Sequence, residues 1–159
     1  MSESVTQVCS LPADDEAMRL RSIAIRALSR REHSRAELTT KLCKGDTPES
    51  TVLFAVLDRL EREDLQSDSR FAEAVIQARV RRGKGLRHIQ HELAQKGVSE
   101  IIIETALIEA DIDWFELARQ TAEKKFGCEP PADWAERAKR SRFLQYRGFG
   151  SDEIRSALG

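Results

Sequence analysis

The densest group of side chains that could bind an anion lies near the middle of the sequence. Two glycines, Gly83 and Gly85, stand among five cations, which are Arg79, Arg81, Arg82, Lys84 and Arg87. Cationic side chains contact phosphates and carboxylates, and glycine lets a backbone approach a phosphate closely. This cluster predicts contact with an anionic partner, although the same pattern is also typical of a flexible, charged turn between two helices.

A second basic cluster lies further along the chain and contains Lys139, Arg140, Arg142 and Arg147. Aromatic residues are interleaved with it. Aromatic rings among cations suit the stacking of single-stranded nucleic acid bases. Phe143 and Phe149 also have helical spacing, however, which is more typical of a hydrophobic core.

Sequence patterns of known catalytic and metal sites are missing. No glycine-rich phosphate loop and no HExxH motif occurs. His88 and His91 form a close pair, but two ligands without a third do not make a zinc site. Cys9, Cys43 and Cys128 form no CxxC motif and are interpreted as reduced thiols. We therefore expect no catalytic residue, no metal ligand and no cofactor.

Charge is distributed in alternating blocks, although the net charge of the chain is only −1. Residues 79–97 carry a net charge of +5 and residues 98–123 a net charge of −6. Two interpretations stay open. The blocks are ordinary solvated helix faces, or the basic faces contact one anionic partner while the acidic faces contact something basic.

The end of one helical segment recurs near the C-terminus. Gly97 and Gly148 belong to a set of positions that match 51 residues apart, and a weaker copy lies upstream. Self-similarity at a period near 50 residues indicates a helical repeat array, in which each unit buries its apolar stripe against a neighbour. The matched positions are Leu93, Gly97, Val98, Ile103, Ala106 and Leu107 with Leu144, Gly148, Phe149, Ile154, Ala157 and Leu158.

Helix start signals divide the sequence into three units of three helices. No segment alternates with period two, so the predicted fold is all-α, with about nine helices in tandem three-helix repeats. We predict a mobile tail at 1–13 and repeats at 14–65, 66–111 and 112–159. The predicted starts are Asp14 or Asp15, Ser34, Thr47-Pro48, Ser67 or Asp68, Leu86, Ser99, Asp113, Asp133 and Ser151.

Over residues 15–158 the chain resembles the RecX regulators of the bacterial RecA recombinase. Each motif is weak alone, and their order and spacing are specific together. One departure is Leu65-Gln66-Ser67-Asp68, where the family often has Tyr-Leu-Asp-Asp. The motifs are Ser34-Arg-Ala-Glu37-Leu38; Asp68-Ser-Arg70-Phe71-Ala72; Arg82-Gly-Lys-Gly85 with Ile89, Glu92-Leu93 and Lys96-Gly97-Val98-Ser99; and Phe143-Leu144-Gln-Tyr146-Arg147-Gly148-Phe149.

This resemblance implies an elongated, curved monomer that binds RecA in the helical groove of its filament on single-stranded DNA. It implies restraint of the ATPase, recombinase and coprotease activities of RecA, and hence regulation of DNA repair, recombination and the SOS response. It further implies a regulator that is not an enzyme, with weak direct DNA binding in some members. The sequence shows no signal peptide and no apolar run of membrane length, so we expect a cytoplasmic protein without a membrane partner.

The two basic clusters are our candidates for the partner surface on the second and third repeats. The first alternative is a stand-alone helical nucleic-acid-binding protein, against which the net charge of −1 counts. A scaffold for an unrelated partner and an uncharacterised enzyme follow. The candidate residues are Arg79, Arg81, Arg82, Lys84, Arg87, Lys139, Arg140, Arg142 and Arg147.

Overall fold

Nine α-helices and no strand are present in a computed structural model that describes residues 12–45 and 48–159. The all-α prediction is therefore confirmed. In chain order the helices are α1 (Pro12–Leu28), α2 (Arg35–Leu42), α3 (Ser50–Arg62), α4 (Asp68–Arg81), α5 (Leu86–Gln95), α6 (Glu100–Ala110), α7 (Trp114–Phe126), α8 (Trp134–Tyr146) and α9 (Ser151–Leu158).

Two compact units divide the chain between Ser67 and Asp68. The first contains α1–α3, which form the first repeat. The second contains α4–α6 and α7–α9, which form the second and third repeats. Cys9, Thr47 and most of the predicted tail lie outside the described residues. Helix α1 begins at Pro12, ahead of the predicted caps, and proline is favoured at a helix start because it lacks the N–H that would have no partner there.

Each repeat has its own hydrophobic core. Leu20, Leu38 and Leu57 are almost fully buried in the first. Phe71, Ile89 and Ile103 lie in the core of the second, and Leu144, Phe149 and Leu158 lie in that of the third. Helices of 8 to 17 residues are marginal alone in water, so the burial of their apolar stripes stabilises them.

The 51-residue periodicity corresponds to equivalent positions in the second and third repeats. Leu93 and Leu144 are both fully buried, and Ile103 and Ile154 are both 6 % exposed. Gly97 and Gly148 have positive φ angles of 75° and 93° after their helices. At both glycines the backbone N–H bonds complete a Schellman motif, in which left-handed glycine satisfies the last carbonyls of the helix.

Three of the predicted helix caps are confirmed in detail. Ser34, Asp113 and Asp133 each accept a hydrogen bond from the backbone N–H three residues on. Such a bond contributes about 1 kcal/mol because it satisfies one N–H that the helix leaves unpaired. Ser99 occupies the predicted N-cap position of α6, but its side chain makes no capping bond.

Besides that of α1, which begins at Pro12 rather than after Asp14 or Asp15, two helix starts were predicted wrongly. Helix α3 begins at Ser50 rather than at Thr47-Pro48, because the chain is still extended at Glu49, whose ψ is 129°. Helix α9 has Gly150 rather than Ser151 as its N-cap. The Glu153 carboxylate accepts the Gly150 N–H, and the Gly150 carbonyl accepts the Ile154 N–H at 3.0 Å, so the first turn closes one residue earlier.

The second and third repeats meet through their backbones. The Gly85 N–H donates to the Arg147 carbonyl at 2.7 Å, and the Arg87 N–H donates to the Gly148 carbonyl at 3.1 Å. Helix α5 has no side-chain cap, so carbonyls from the end of α8 satisfy its first N–H groups. A Cβ on Gly85 would lie 2.5 Å from the Gly148 carbonyl atoms. Gly85 and Gly148 therefore allow the two backbones to pack closely.

We predict that Gly148→Ala destabilises the protein by about 2 kcal/mol more than Gly127→Ala, because added volume in a packed contact costs about 1–3 kcal/mol. The two glycines are a matched pair, with φ angles of 93° and 84°. A Cβ at 148 would lie 2.5 Å from His88, whereas one at 127 meets nothing within 4 Å. Urea unfolding of the two variants measures the difference, and equal losses of stability would show that the close contact is unimportant.

Candidate anion-binding site

Arg79, the first residue of the central basic cluster, is held inside the second repeat. Its guanidinium donates two hydrogen bonds of 2.6 Å to the carboxylate of Glu92, which lies on the next helix. Both side chains are half-buried, and these bonds hold the pKa of Glu92 below its usual range and raise that of Arg79. The ion pair between Arg79 and Glu92 thus links α4 to α5 within the second repeat.

Arg140, from the second cluster, is also held internally. Its side chain is only 7 % exposed, and it donates to the Glu136 carboxylate at 2.5 and 3.1 Å. It also donates to the carbonyl of Glu129 at 2.7 Å and lies over the ring of Phe126. The pKa of Glu136 is lowered first by the Ala132 N–H and then by Arg140. Arg140 therefore anchors the loop before α8.

Three other predicted cations meet in one cleft of the second unit, between the second and third repeats. Its volume is about 530 Å³. Arg81 and Arg82 come from the end of α4, and Arg147 follows α8. Two lysines from the last turn of α7 complete the set. The lining residues are Val80, Arg81, Arg82, Gly83, Leu117, Gln120, Thr121, Lys124, Lys125, Phe143 and Arg147.

Arg147 is positioned by both repeats. It donates to the carbonyl of Arg82 at 2.5 Å, and its guanidinium carbon lies 5.0 Å from the ring centroid of Phe143. Phe143 in turn makes an edge-to-face contact with Phe126, with ring centroids 5.2 Å apart. These contacts hold the guanidinium at the cleft wall and reduce the entropy lost when it binds a ligand.

The remaining cleft cations have no ion-pair partner among the described residues. Arg81, Arg82, Lys124 and Lys125 are exposed and make no ion pair with any described residue. No acidic side chain is among the lining residues that the structure describes. A concave surface with charge of one sign concentrates its field and attracts the opposite charge. This geometry suits an anion such as a phosphate or a carboxylate.

Sequence reasoning missed Lys124 and Lys125. They lie about forty residues from Arg81 and Arg82 in the chain, at the end of a helix where basic residues also stabilise the helix dipole. The 51-residue periodicity was the available signal, because it indicates that adjacent repeats pack together.

The other four candidates do not join the cleft. Lys139 and Arg142 are exposed on α8, and helical spacing places them on the same face as Tyr146, which is 84 % exposed. Arg87 lines a separate hollow with Asp152 and Glu153. Lys84 is half-buried near His88, whose pKa is lowered by burial and then by the charge of Lys84.

A second basic hollow, of about 390 Å³, lies within the first unit. Its cations are Arg26, Arg30, Arg31 and Lys41, with the buried His33 beside them. Arg31 is paired with Glu37 at 2.9 Å, which reduces the net positive charge. This hollow therefore carries less unpaired charge than the cleft of the second unit.

Within the described ranges, no three His, Cys, Asp or Glu residues are grouped so that they could hold a metal ion. The same described residues include no helix long and apolar enough to cross a membrane.

Three family models match the chain in order. They describe the first, second and third three-helix domains of RecX, and they match residues 21–60, 67–107 and 111–158. This chain belongs to the RecX family of regulatory proteins. Its three tandem repeats are the three RecX domains, as the resemblance in sequence implied.

RecX relatives align over most of their length. The chain is 42 % identical to the regulatory protein RecX of Halorhodospira halophila, covering 87 % of this chain and 85 % of the relative. It is 44 % identical to that of Vibrio campbellii, covering 85 % and 86 %. For that of Pseudomonas fluorescens Pf-5 the identity is 43 %, covering 91 % and 92 %.

Solved structures share the fold. The crystal structure of RecX from Lactobacillus salivarius matches with a TM-score of 0.77 at 24 % identity, covering 91 % of this chain and 96 % of that one. A second RecX crystal structure matches with a TM-score of 0.78 at 23 % identity, covering 99 % and 78 %.

The segment in which the sequence departs from the pattern expected from the resemblance contains one exposed and one buried side chain. Leu65 is 40 % exposed, whereas the next residue, Gln66, is 2 % exposed. The Gln66 side-chain amide donates to the carbonyl of His33 at 3.3 Å. In this RecX protein the segment is thus anchored to the first unit by Gln66.

We predict that Arg79→Ala lowers the free energy of unfolding by about 1–3 kcal/mol at neutral pH, because it removes two charged hydrogen bonds from a half-buried carboxylate. Since the folded pKa of Glu92 is lowered, the pair's contribution is complete above the unfolded pKa of about 4.3 and disappears as the pH falls through the folded value. Urea unfolding from pH 7 to pH 3 should show the variant and wild type converging.

Arg119→Ala is the matched control, because Arg119 bonds to Glu116 and Glu123 on an exposed face of α7. Exposed pairs contribute only about 0–1 kcal/mol. A loss for Arg79→Ala no larger than that of Arg119→Ala would contradict a structural role for Arg79.

Proposed function

We propose that this protein binds the RecA filament on single-stranded DNA and restrains its ATP hydrolysis and strand exchange. Family membership supports a regulatory role, and the basic cleft supports the choice of target. The single observation that carries the proposal is the set of unpaired cations in that cleft, with no acidic residue among its described lining.

A nucleoprotein filament offers both kinds of anion that the cleft suits. DNA contributes phosphates, and the surface of a protein contributes carboxylates. Exposed Lys124 and Lys125 can move to reach such groups, whereas Arg147 is held in place. Since the contacts are ionic, we expect binding to weaken as salt concentration rises.

The test is the ATPase activity of RecA on single-stranded DNA, titrated with this protein well below the RecA concentration. We predict inhibition by the wild type. Lys124→Glu/Lys125→Glu should raise the concentration needed for half-inhibition about tenfold or more, because a loss of about 1.4 kcal/mol in binding is tenfold in affinity.

Arg19→Glu/Lys44→Glu is the matched control, since it makes the same change in charge at two exposed residues of the first unit. It should inhibit like the wild type. An unrelated DNA-dependent ATPase should not respond to any of the three proteins. If the wild type leaves RecA unaffected, the proposed function is wrong; if both double variants behave alike, the cleft is not the contact surface.

Direct binding to single-stranded nucleic acid is a second candidate function. The observation that favours it is the exposed α8 face, where Tyr146 lies beside Lys139 and Arg142. A base can stack on an exposed ring while neighbouring cations contact phosphates. Phe149, which the sequence also placed among these aromatics, is only 2 % exposed in the core and cannot stack on a base.

We predict that Tyr146→Ala weakens binding to a fluorescent oligothymidine by about five- to tenfold, because stacking contributes about 1–3 kcal/mol per base. Tyr146→Phe keeps the ring and should bind like the wild type. Fluorescence anisotropy at low salt measures both variants. Equal binding by all three proteins would rule out stacking on this face.

A further inference from the structure

Helix α6 presents apolar side chains on two opposite sides. Ile103 and Ala106 are buried in the core of the second repeat, at 6 % and 4 % exposure. On the other side, Ile101 and Ile108 are each 77 % exposed. Large apolar side chains on both sides of a helix are normally both covered. Nothing within the described second unit covers these two isoleucines.

The two isoleucines lie on one continuous face. They are seven residues apart, which is two helical turns or about 10 Å. Glu104 and Thr105 lie between them on the same side of the helix. The Thr105 hydroxyl donates to the Ile101 carbonyl at 2.8 Å, so its hydrogen-bonding need is met within the helix. We name Ile101, Glu104, Thr105 and Ile108 the isoleucine face.

Carboxylates that make no ion pair with any described residue lie within this face, at Glu104, and beside it, at Glu100 and Glu109. All three are exposed. Glu109 lies in the last turn of α6, which contains no basic residue, and Asp111 follows at a left-handed φ of 46°. Acidic groups at this end oppose the helix dipole. Glu109 is therefore placed where it disfavours the helix, a pattern expected at functional positions, whereas Glu100 in the first turn favours the helix.

We propose that the isoleucine face docks a protein segment that presents apolar side chains bordered by lysine or arginine. The exposed isoleucines supply the apolar contact, and the unpaired carboxylates supply charge complementarity. Nucleic acid does not fit, because these carboxylates repel phosphates. A two-fold pairing of this face with itself does not fit either, because the same carboxylates would oppose each other across the axis.

This face is separate from the basic cleft in both residues and charge. The inference that the docked segment belongs to RecA rests on the proposed function. The chemistry of the isoleucine face does not depend on that function. Two experiments keep these statements apart.

The first experiment uses two designed amphipathic peptides with the same leucine face, one with a lysine polar face and one with a glutamate polar face. The protein is labelled at its isoleucine methyl groups, and NMR spectra are recorded during titration. The lysine peptide should shift the Ile101 and Ile108 signals while leaving the buried Ile103 signal unchanged. The glutamate peptide should shift none of them.

Glu104→Lys/Glu109→Lys should abolish the response to the lysine peptide. If the lysine peptide leaves Ile101 and Ile108 unchanged, the docking proposal is overturned. If both peptides shift these signals equally, the contact is apolar only and the charge argument is overturned.

The second experiment measures binding to the RecA filament on single-stranded DNA by co-sedimentation. Ile101→Ser/Ile108→Ser should weaken binding about tenfold or more, since apolar anchors at the centre of an interface carry most of the affinity. Met18→Ser/Ile25→Ser replaces exposed apolar residues of the first unit, at 61 % and 41 % exposure, and should bind like the wild type. Circular dichroism should show unchanged helix content for both.

The outcomes separate the two proposals. Absence of binding by the wild type contradicts the proposed function, and the peptide titration then decides on the face alone. Wild-type binding that the isoleucine substitutions leave unchanged excludes RecA as the partner of this face. If wild-type protein self-associates in analytical ultracentrifugation and the double serine variant does not, a second copy occupies the face and the proposal is overturned.

Discussion

The second unit depends on a backbone contact that leaves no room for side chains. Carbonyls at the end of α8 accept the N–H groups at the start of α5, and Gly85 and Gly148 lie directly against each other. The positive end of one helix dipole thereby meets the negative end of another. The same contact brings Arg147 to the carbonyl of Arg82 and so forms one wall of the basic cleft.

Intramolecular carboxylates determine which cations are available to a partner. Arg79 and Arg140 each have a glutamate within hydrogen-bond distance, so they stabilise the fold. Arg81, only two residues beyond Arg79, has no such partner among the residues that the structure describes and lines the cleft. Helix geometry explains the difference, since residues two apart point to different sides. A basic run in a sequence therefore does not define a basic surface.

The sequence predicted what depends on near neighbours. The nine helices of the described residues, the caps at Ser34, Asp113 and Asp133, and the glycine ends at 97 and 148 all follow from spacings of a few residues. The repeat period also identified equivalent buried positions. The observed N-caps of α3 and α9, Glu49 and Gly150, lie two residues and one residue from the predicted caps, and α1 begins ahead of its predicted cap.

Contacts between distant residues were beyond the sequence. Lys124 joins Arg81 only because the third repeat packs on the second, and Glu92 captures Arg79 only because α5 folds back on α4. The core-facing side of α6, by contrast, was indicated by the repeat, since Ile103, Ala106 and Leu107 match Ile154, Ala157 and Leu158 and pack in the core of the second repeat.

The cap at the start of α5 has a consequence for synthesis on the ribosome. Ser34 caps α2 with its own side chain, so the first repeat can complete this helix as soon as it emerges. Gly85 must wait for Arg147 and Gly148. At about 5–20 residues per second, the intervening chain takes several seconds to make. During this interval the N–H groups of Gly85 and Arg87 lack the carbonyls that accept them in the folded protein. The folding of the second repeat is therefore coupled to the synthesis of the third.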